Sequence, residues 1–361
     1  MNTNIHQTIS AALAAKFVKS DEVARILAIA IESGKNVLLW GPGGHGKSEM
    51  VTEALTHVAH EDDVFVQSFG EGMDEATLWG GLDFQALETE KVLRYFPEQS
   101  FLARPYAVFE ELFDAPATVL LALKDTLTSK KLRKGAQTFS MATQVVIALT
   151  NKDPQEISDM GPAAHALVER FPLQLRVDWL SYTAADYVEL FQKVASRLPG
   201  ADLNGTMPIL AEMLAKVAEN GEAISPRSAV HALGVVKTSA AIRSSTKVEK
   251  RDLLDLRFVD GFEELANNLR AELDAAAERA AAEGRIIAAE AKLRVLLQEL
   301  TDSFGSPIKL LQCAKRLQAF VDEVSALSVT EGFTERRKSL RDTAAQKATE
   351  AQSAALDSTR I

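Results

Sequence analysis

The segment GPGGHGKS at residues 41–48 constrains the fold of this chain more than any other part of the sequence. It fits the pattern GxxxxGK[ST], it follows the apolar run NVLLW at 36–40, and a helix is predicted to begin at about Lys47. Glycines at these positions let successive backbone N–H groups turn toward a phosphate, and the helix N-terminus adds the positive end of its dipole. The segment therefore predicts a strand, loop and helix that bind a nucleoside phosphate, and a Gly-rich turn without a ligand is the alternative.

The residues of this segment have separate expected roles. Lys47 would bridge β- and γ-phosphate oxygens, and the Ser48 hydroxyl would bind Mg²⁺. His45 occupies a variable position of the pattern, and no catalytic role is predicted for it. The predicted nucleotide-binding residues are Gly41, Pro42, Gly43, Gly44, His45, Gly46, Lys47, Ser48 and Glu49.

Further apolar runs indicate that the loop belongs to a parallel sheet. Residues 64–68, 106–109 and 144–150 are β-branched or apolar runs, and helical or Gly-containing sequence separates them. Strands that alternate with helices imply a parallel sheet with helices on both faces. The predicted fold class is therefore α/β.

Polar residues at the ends of two of these runs are candidates for catalysis. Glu110 and Glu111 end the run that begins at Tyr106, so Glu110 would hold Mg²⁺ and Glu111 would activate the attacking water. A solvated acidic pair that caps the next helix is the alternative. Asn151 follows the run 145–150 and would orient the water beside the γ-phosphate, although an Asn after a strand is often only a turn former.

Taken together, these segments resemble the MoxR family of AAA+ ATPases, in the helix-2-insert clade, over residues 15–260. The resemblance implies that Arg170 is an arginine finger and that Arg227 is the sensor 2 arginine, with Arg176 as the alternative finger. Solvated side chains on a helix surface are the alternative for these arginines. The similar segments are GPGGHGKS at 41–48 (Walker A), VFEELFDAP at 108–116 (Walker B), ALTNKDP at 148–154 (sensor 1), LVERF at 167–171 and SPR at 225–227.

The resemblance also implies an activity and partners. It implies Mg²⁺-dependent ATP hydrolysis in a homo-hexameric ring, because an arginine finger cannot reach its own nucleotide in this architecture. It further implies chaperone-like remodelling or activation of a client protein, including metal insertion or a von Willebrand A domain partner. The sequence departs from the family at Glu110, where the family has Asp, and the extra methylene bears on the strength of metal binding.

Two hairpins are also implied by the resemblance. The first is the helix-2 insert near 79–96, where two glycines in WGGLDF precede two short strand-like runs. The second would lie before sensor 1, at about residues 130–141. We expect the insert and the C-terminal helices to transmit motion to the client.

Charge and cysteine content narrow the class of protein. A net charge of −10 and a pI near 5.3 argue against a chain that wraps nucleic acid, because phosphate binding needs clustered basic residues. Two alternatives stay open, a nucleic-acid motor and an ATP-gated scaffold with little turnover. The basic cluster available to a motor is Lys130, Lys131, Arg133 and Lys134.

The cysteine content bears on the cellular compartment. Cys313 is the only cysteine, so an internal disulfide is excluded and a reducing cytoplasm fits best.

Changes in periodicity predict three domains. The nucleotide-binding core would span 1–178, an all-helical lid 179–261, and a C-terminal helical hairpin or bundle 262–361. The all-helical pattern begins at Ser181, and DSFGSP at 302–307 interrupts the C-terminal helices. The first twenty residues read as an amphipathic helix rather than a secretion signal, and no apolar run reaches the roughly 18 residues that a membrane span needs.

Overall fold

A computed structural model describes residues 4–134, 137–178, 182–203, 205–219 and 224–357 of the chain. The first of its two compact units extends to Glu263 and is built on a five-stranded parallel sheet with the strand order β2-β3-β6-β1-β7. The strands are β1 (Val37–Trp40), β2 (Val64–Ser68), β3 (Tyr106–Glu110), β4 (Lys131–Lys134), β5 (Gln137–Ser140), β6 (Val145–Thr150) and β7 (Leu173–Arg176), of which β4 and β5 form a separate hairpin.

The sheet confirms the predicted α/β class and aligns the strand ends that carry the candidate residues. Every residue of β6 is buried, as expected for a central strand that is covered on both faces. Trp40 is in register with Thr150 on one side and with Arg176 on the other. The carboxyl ends of β1, β3 and β6 therefore meet at one edge, where the chain continues into residues 41–48, Glu111 and Asn151.

Strand β7 was not predicted from the sequence. Its four residues alternate between half-buried and exposed, which is a two-residue period. So short an alternation is weak evidence for a strand in a sequence. The strand forms because β1 offers it a parallel edge along its whole length.

Helices cover this sheet and continue beyond it. A capping box between Thr183 and Asp186 begins α9, and the Ser225 side chain caps α11. Residues 179–181, which include the predicted boundary between core and lid and the start of the helical pattern at Ser181, lie outside the described residues. The helices are α1 (Ile5–Lys16), α2 (Asp21–Ser33), α3 (Lys47–Thr56), α4 (Glu75–Leu78), α5 (Phe84–Thr89), α6 (Ala117–Ser129), α7 (Pro154–Asp159), α8 (Pro162–Val168), α9 (Ala184–Ala195), α10 (Met207–Glu219) and α11 (Pro226–Ile242), and a 3-10 helix follows at Lys250–Phe258.

The insert at 79–96 differs from its predicted form, because helix α5 takes the place of the two strand-like runs. Its ends pair through one antiparallel bridge, between Leu82 and Tyr95. The Asp83 side chain accepts a hydrogen bond from a backbone N–H in the first turn of α5 at 2.9 Å. This N-cap and the helix formers of FQALET favour a helix over strand pairing.

The second predicted hairpin is confirmed by the antiparallel pair β4 and β5. Residues 135 and 136 at its tip lie outside the described residues. The Gln137 side chain bonds to both backbone groups of Tyr95, accepting from the N–H at 2.9 Å and donating to the carbonyl at 3.4 Å. These two hydrogen bonds tie the hairpin to the insert.

Three helices form the second compact unit, which begins at Glu264: α12 (Glu263–Asp302), α13 (Pro307–Ala326) and α14 (Thr334–Asp357). The predicted break at 302–307 is confirmed, since α12 ends and α13 begins there. Large side chains of α12 and α13 share a core with small ones of α14. The buried residues of α14 are Leu340, Ala344, Ala348, Ala351 and Ala355.

Among the residues that the structure describes, no helix combines the length and the apolar character that crossing a membrane requires.

Candidate nucleotide site

The loop at 41–48, called the P-loop below, packs so closely that glycine is required at two positions. Gly41 has φ 137°, and a Cβ there would lie 2.3 Å from the carbonyl oxygen of Val177. Gly44 has φ 80°, and a Cβ there would lie 2.7 Å from the Ser225 hydroxyl. Both values lie in the region that glycine adopts at low cost. The loop is thus held between the end of β7 and the start of α11.

Lys47 lies in the first turn of α3 and is only 6% exposed. Its ammonium donates hydrogen bonds to the carbonyls of Gly41 at 2.7 Å and Pro42 at 2.9 Å, and to Asn151 Oδ1 at 2.8 Å. Burial lowers the pKa of Lys47 to about 8, the Glu111 carboxylate opposes this shift, and a nearby arginine adds to it. The lysine is therefore a buried cation that any added negative charge at the loop would stabilise.

Asn151 joins Lys47 to the predicted catalytic base. Its amide Nδ2 donates to Glu111 Oε1 at 2.7 Å, while its oxygen accepts from the lysine. Glu111 has φ 52°, in the left-handed region that few non-glycine residues adopt. Such strain is concentrated at functional sites. The three side chains form one hydrogen-bonded row at the carboxyl edge of the sheet.

Glu110 lies one residue earlier, at the end of β3. Ser68, its register partner on β2, donates its hydroxyl to Glu110 Oε2 at 3.0 Å. One carboxylate oxygen of Glu110 is thus engaged by the neighbouring strand. The residue nevertheless adjoins Glu111 at the same edge as the P-loop.

The candidate metal ligands supply oxygen atoms, which are the donors that Mg²⁺ prefers. They are the Ser48 hydroxyl, on the wall of the cavity beside the P-loop, and the Glu110 carboxylate. The described residues contain no group of three or more His, Cys, Asp and Glu side chains placed to hold a metal ion. A Mg²⁺ ion bound to phosphates takes one or two protein ligands, and phosphate oxygens and water complete its coordination. The residues therefore fit a phosphate-bound Mg²⁺.

Arg227 lies beside the P-loop, where its backbone N–H donates to the Gly44 carbonyl at 3.2 Å. The residue is exposed and lines the same cavity as Ser48. Its positive charge contributes to the lowered pKa of Lys47. Helix α11 therefore brings the predicted sensor arginine to the P-loop of its own chain.

Arg170 lies at the opposite edge of the sheet. The Asn36 side chain, just before β1, donates to the Arg170 carbonyl at 3.0 Å, whereas the P-loop follows the other end of β1. The four residues of β1 separate the two by about 13 Å. The Arg170 guanidinium, 32% exposed in its side chain, donates through Nε to Thr128 Oγ1 at 2.9 Å. The predicted finger is thus not brought together with its own site.

Arg176, the alternative finger, lies at the P-loop edge of its own chain. Its guanidinium pairs with Asp178 at 2.5 Å and lies over the Trp40 ring at 5.4 Å. This arginine is therefore already engaged beside the start of its own P-loop.

His45 is buried inside the P-loop and is 5% exposed. Burial lowers its pKa to about 4, while the charge of Asp178 opposes the shift and Lys47 adds to it. The imidazole is therefore neutral at neutral pH.

A cavity of about 690 Å³ opens beside the P-loop, between the N-terminal segment and the helices α9 and α11. Such a volume is typical of small-molecule and cofactor sites. Its lining combines polar and charged residues, among them Ser48, Glu49 and Arg227, with a set of apolar residues called the apolar wall. The apolar wall is formed by Phe17, Val18, Tyr182, Leu190, Val194 and Val230.

The apolar residues of this cavity were not predicted from the sequence. Leu190 and Val194 are four residues apart on α9, a spacing that indicates a helix and no ligand. Phe17 and Val18 lie between α1 and α2, in a short apolar pair that no pattern distinguishes from packing. Ser68 was missed as well, because its role depends on the register of β2 with β3.

Two solved structures are similar to this chain. A Cytophaga hutchinsonii protein assigned as an ATPase shares 16% identity, with 71% of this chain and 85% of that chain covered at a TM-score of 0.40. NtrX from Brucella abortus, solved in complex with ATP, shares 11% identity, with 62% of this chain and 51% of that chain covered at a TM-score of 0.46.

A family profile gives a more specific result. The profile described as "MoxR domain in the MoxR-vWA-beta-propeller ternary systems" matches residues 3–192. The match includes the P-loop, Glu110, Glu111, Asn151 and Arg170. Because it covers more than half of the 361 residues, this protein belongs to the MoxR family of AAA+ ATPases.

Proposed function

We propose that this protein hydrolyses Mg-ATP and uses the energy to remodel or activate a partner protein. The observation that carries the proposal is the row of Lys47, Asn151 and Glu111, with bonds of 2.8 Å and 2.7 Å. A phosphate-binding cation and a carboxylate base share one amide, so a γ-phosphate and the water that attacks it would be positioned by the same residue. Family membership supports the ATPase part of the proposal.

In the proposed reaction, Lys47 and the P-loop amides bind the phosphates and Asn151 orients a water molecule. Glu111 accepts a proton from that water as its oxygen bonds to the γ-phosphorus, and the bond from the γ-phosphorus to the bridging oxygen breaks. Ser48 and Glu110 would hold Mg²⁺, which when bound neutralises charge on the phosphate oxygens. Arg227 would sense loss of the γ-phosphate and change the angle of the lid.

A neighbouring subunit is needed to complete this site. Arg170 lies at the far edge of the sheet from its own P-loop, so its guanidinium would act on the ATP of an adjacent copy. Such arginines contribute factors of roughly 10³ or more to phosphoryl transfer. We propose a closed ring of identical subunits, with a hexamer as the expected size, in a reducing cytoplasm that fits the single cysteine.

The insert and the β4–β5 hairpin supply a surface for the client. The insert is closed by hydrogen bonds from Asp83 N–H to the Arg94 carbonyl at 2.8 Å and from Val92 N–H to the Ala86 carbonyl at 3.4 Å, and it exposes three apolar side chains. The neighbouring hairpin exposes two basic residues, Lys131 and Arg133. A client segment with acidic and apolar residues fits this surface, and the family description favours a von Willebrand A domain protein or a β-propeller protein as partner. The apolar residues are Phe84, Val92 and Leu93.

The first test is phosphate release from the purified protein with ATP and Mg²⁺. Lys47→Ala should lose nucleotide affinity, whereas Glu111→Gln should keep affinity and lose turnover by a factor of about 10² or more. Wild-type protein that binds ATP without releasing phosphate would support the ATP-gated scaffold. Release that rises steeply with added DNA or RNA would support the nucleic-acid motor, for which the basic hairpin is the available contact.

A second test addresses the client. Glu111→Gln with ATP should retain a partner that wild-type protein releases, and the Lys47→Ala form should not retain it. An identical set of bound proteins for all three forms would contradict the remodelling part of the proposal while leaving hydrolysis intact.

A further inference from the structure

We infer that Thr128 is a positioning residue that aims the Arg170 guanidinium at the active site of the adjacent subunit. The inference rests on the proposed function, in which Arg170 acts between subunits. Thr128 is in the last turn of α6, and its hydroxyl both accepts from Arg170 Nε at 2.9 Å and donates to the Lys124 carbonyl at 2.7 Å. One hydroxyl thus fixes the arginine relative to a helix end.

The hydrogen bond determines which edge of the guanidinium is available. With Nε bonded to Thr128, the two terminal nitrogens form the edge that remains for other acceptors. One of them lies 3.5 Å from the Glu169 carboxylate, at the limit of a hydrogen bond, so this contact is weak. A pair of N–H groups on one edge matches two phosphate oxygens.

The backbone of Arg170 is fixed as well. The Asn36 side chain donates to the Arg170 carbonyl at 3.0 Å and accepts from the Val146 N–H at 3.0 Å. Asn36 precedes β1 and Val146 is in β6, so these bonds anchor the Arg170 backbone to two strands. A long arginine that is held at both ends loses less conformational entropy when it binds a phosphate. Thr128 would therefore contribute to the rate of the neighbour's reaction without touching any residue of its own P-loop edge.

The test compares Thr128→Val, which removes the hydroxyl at nearly constant shape, with Thr128→Ser, which keeps it. Thr128 is exposed, so both variants should fold with an unchanged melting temperature. We expect Thr128→Val to lower kcat about 3- to 10-fold, the range of one lost hydrogen bond, with KM for ATP unchanged. Thr128→Ser should retain the wild-type kcat.

Mixing experiments show in which subunit the residue acts. Glu111→Gln subunits cannot hydrolyse ATP but carry an intact Thr128 and Arg170. When they are mixed in excess with Thr128→Val subunits, activity per Thr128→Val subunit should rise toward the wild-type value. A kcat of Thr128→Val equal to that of wild type, or a reduced kcat that mixing does not restore, would overturn the inference.

Arg170→Ala, measured in parallel, distinguishes a failure of the proposed arginine finger from a failure of the role inferred for Thr128. If Arg170→Ala is inactive alone and rescued by Glu111→Gln, the proposed role of the finger stands, and the Thr128 result judges only this inference. If Arg170→Ala hydrolyses ATP at the wild-type rate, the finger assignment and the role of Thr128 fail together.

Discussion

At the scale of single residues, Lys47 is the most informative side chain of the site. It is buried against two loop carbonyls and one amide oxygen, and its neighbours include both a carboxylate and an arginine. Burial disfavours its charged form, while bound phosphates would favour it. Nucleotide affinity should therefore depend on pH through this one group.

We expect Mg-ATP affinity to be full below about pH 8 and to fall as the pH rises through that value. The pKa of Lys47 is about 8 in the free protein, and bound phosphates would raise it. At a pH between the pKa of the free protein and that of the complex, ATP binding must therefore take up a proton. The dissociation constant at pH 9.5 should be larger than at pH 7 by a factor of about ten or more. Titration calorimetry in buffers of different ionisation heat would measure both affinity and proton uptake.

Two results would contradict this expectation. One is a dissociation constant that does not change between pH 7 and 9.5. The other is binding at pH 8.5 that takes up no proton. Lys47→Ala is the control, because any remaining weak binding should lack this pH dependence.

At the scale of elements, close packing between helices determines the C-terminal unit. Helix α14 presents mainly alanines to the core of this unit, so its backbone lies close to that of α13. Ala348 is 2% exposed and lies in the middle of this row. A larger side chain there has no space without moving a helix.

Ala348→Leu should destabilise the C-terminal unit by about 1–3 kcal/mol through overpacking. The same substitution at Ala291, which is exposed on α12, is the matched control and should change stability by less than about 0.5 kcal/mol. Urea unfolding followed by circular dichroism measures both. Equal effects of the two variants would show that the alanine row is not closely packed.

At the scale of the whole molecule, the proposed reaction is a property of an assembly. The P-loop edge contains Lys47 and the proposed base and sensor, Glu111 and Arg227, whereas Arg170 lies at the other edge. One subunit would therefore contribute groups to two different sites, its own and that of a neighbour. Hydrolysis should then depend on protein concentration.

Arg170→Ala should bind ATP with wild-type affinity and hydrolyse it at least about 10³-fold more slowly. Mixed with Glu111→Gln, which supplies an intact Arg170, it should regain part of the activity. Specific activity of the wild-type protein should fall on dilution as subunits separate. A constant specific activity in a protein that sediments as a monomer would contradict the ring.

The sequence by itself determined the local elements of this protein. The P-loop, the four strands around it and the break at 302–307 could be predicted, because glycine requirements and hydrophobic period are properties of neighbouring residues. The candidate residues after β1, β3 and β6 could also be placed at one edge, since parallel strands share a direction. Helix α5 was missed although its N-cap and helix formers are local features. Strand β7 could not be predicted, because an available sheet edge decided it.

Only the tertiary structure decided which side chains meet. Asn151 lies 104 residues from Lys47, and Thr128 lies 42 residues from Arg170, yet each pair is within hydrogen-bonding distance. Ser68 reaches Glu110 because β2 and β3 pair in one particular register. The physical reason is that a periodic sequence specifies which face of an element is buried, whereas the register between elements is set by packing of the whole core.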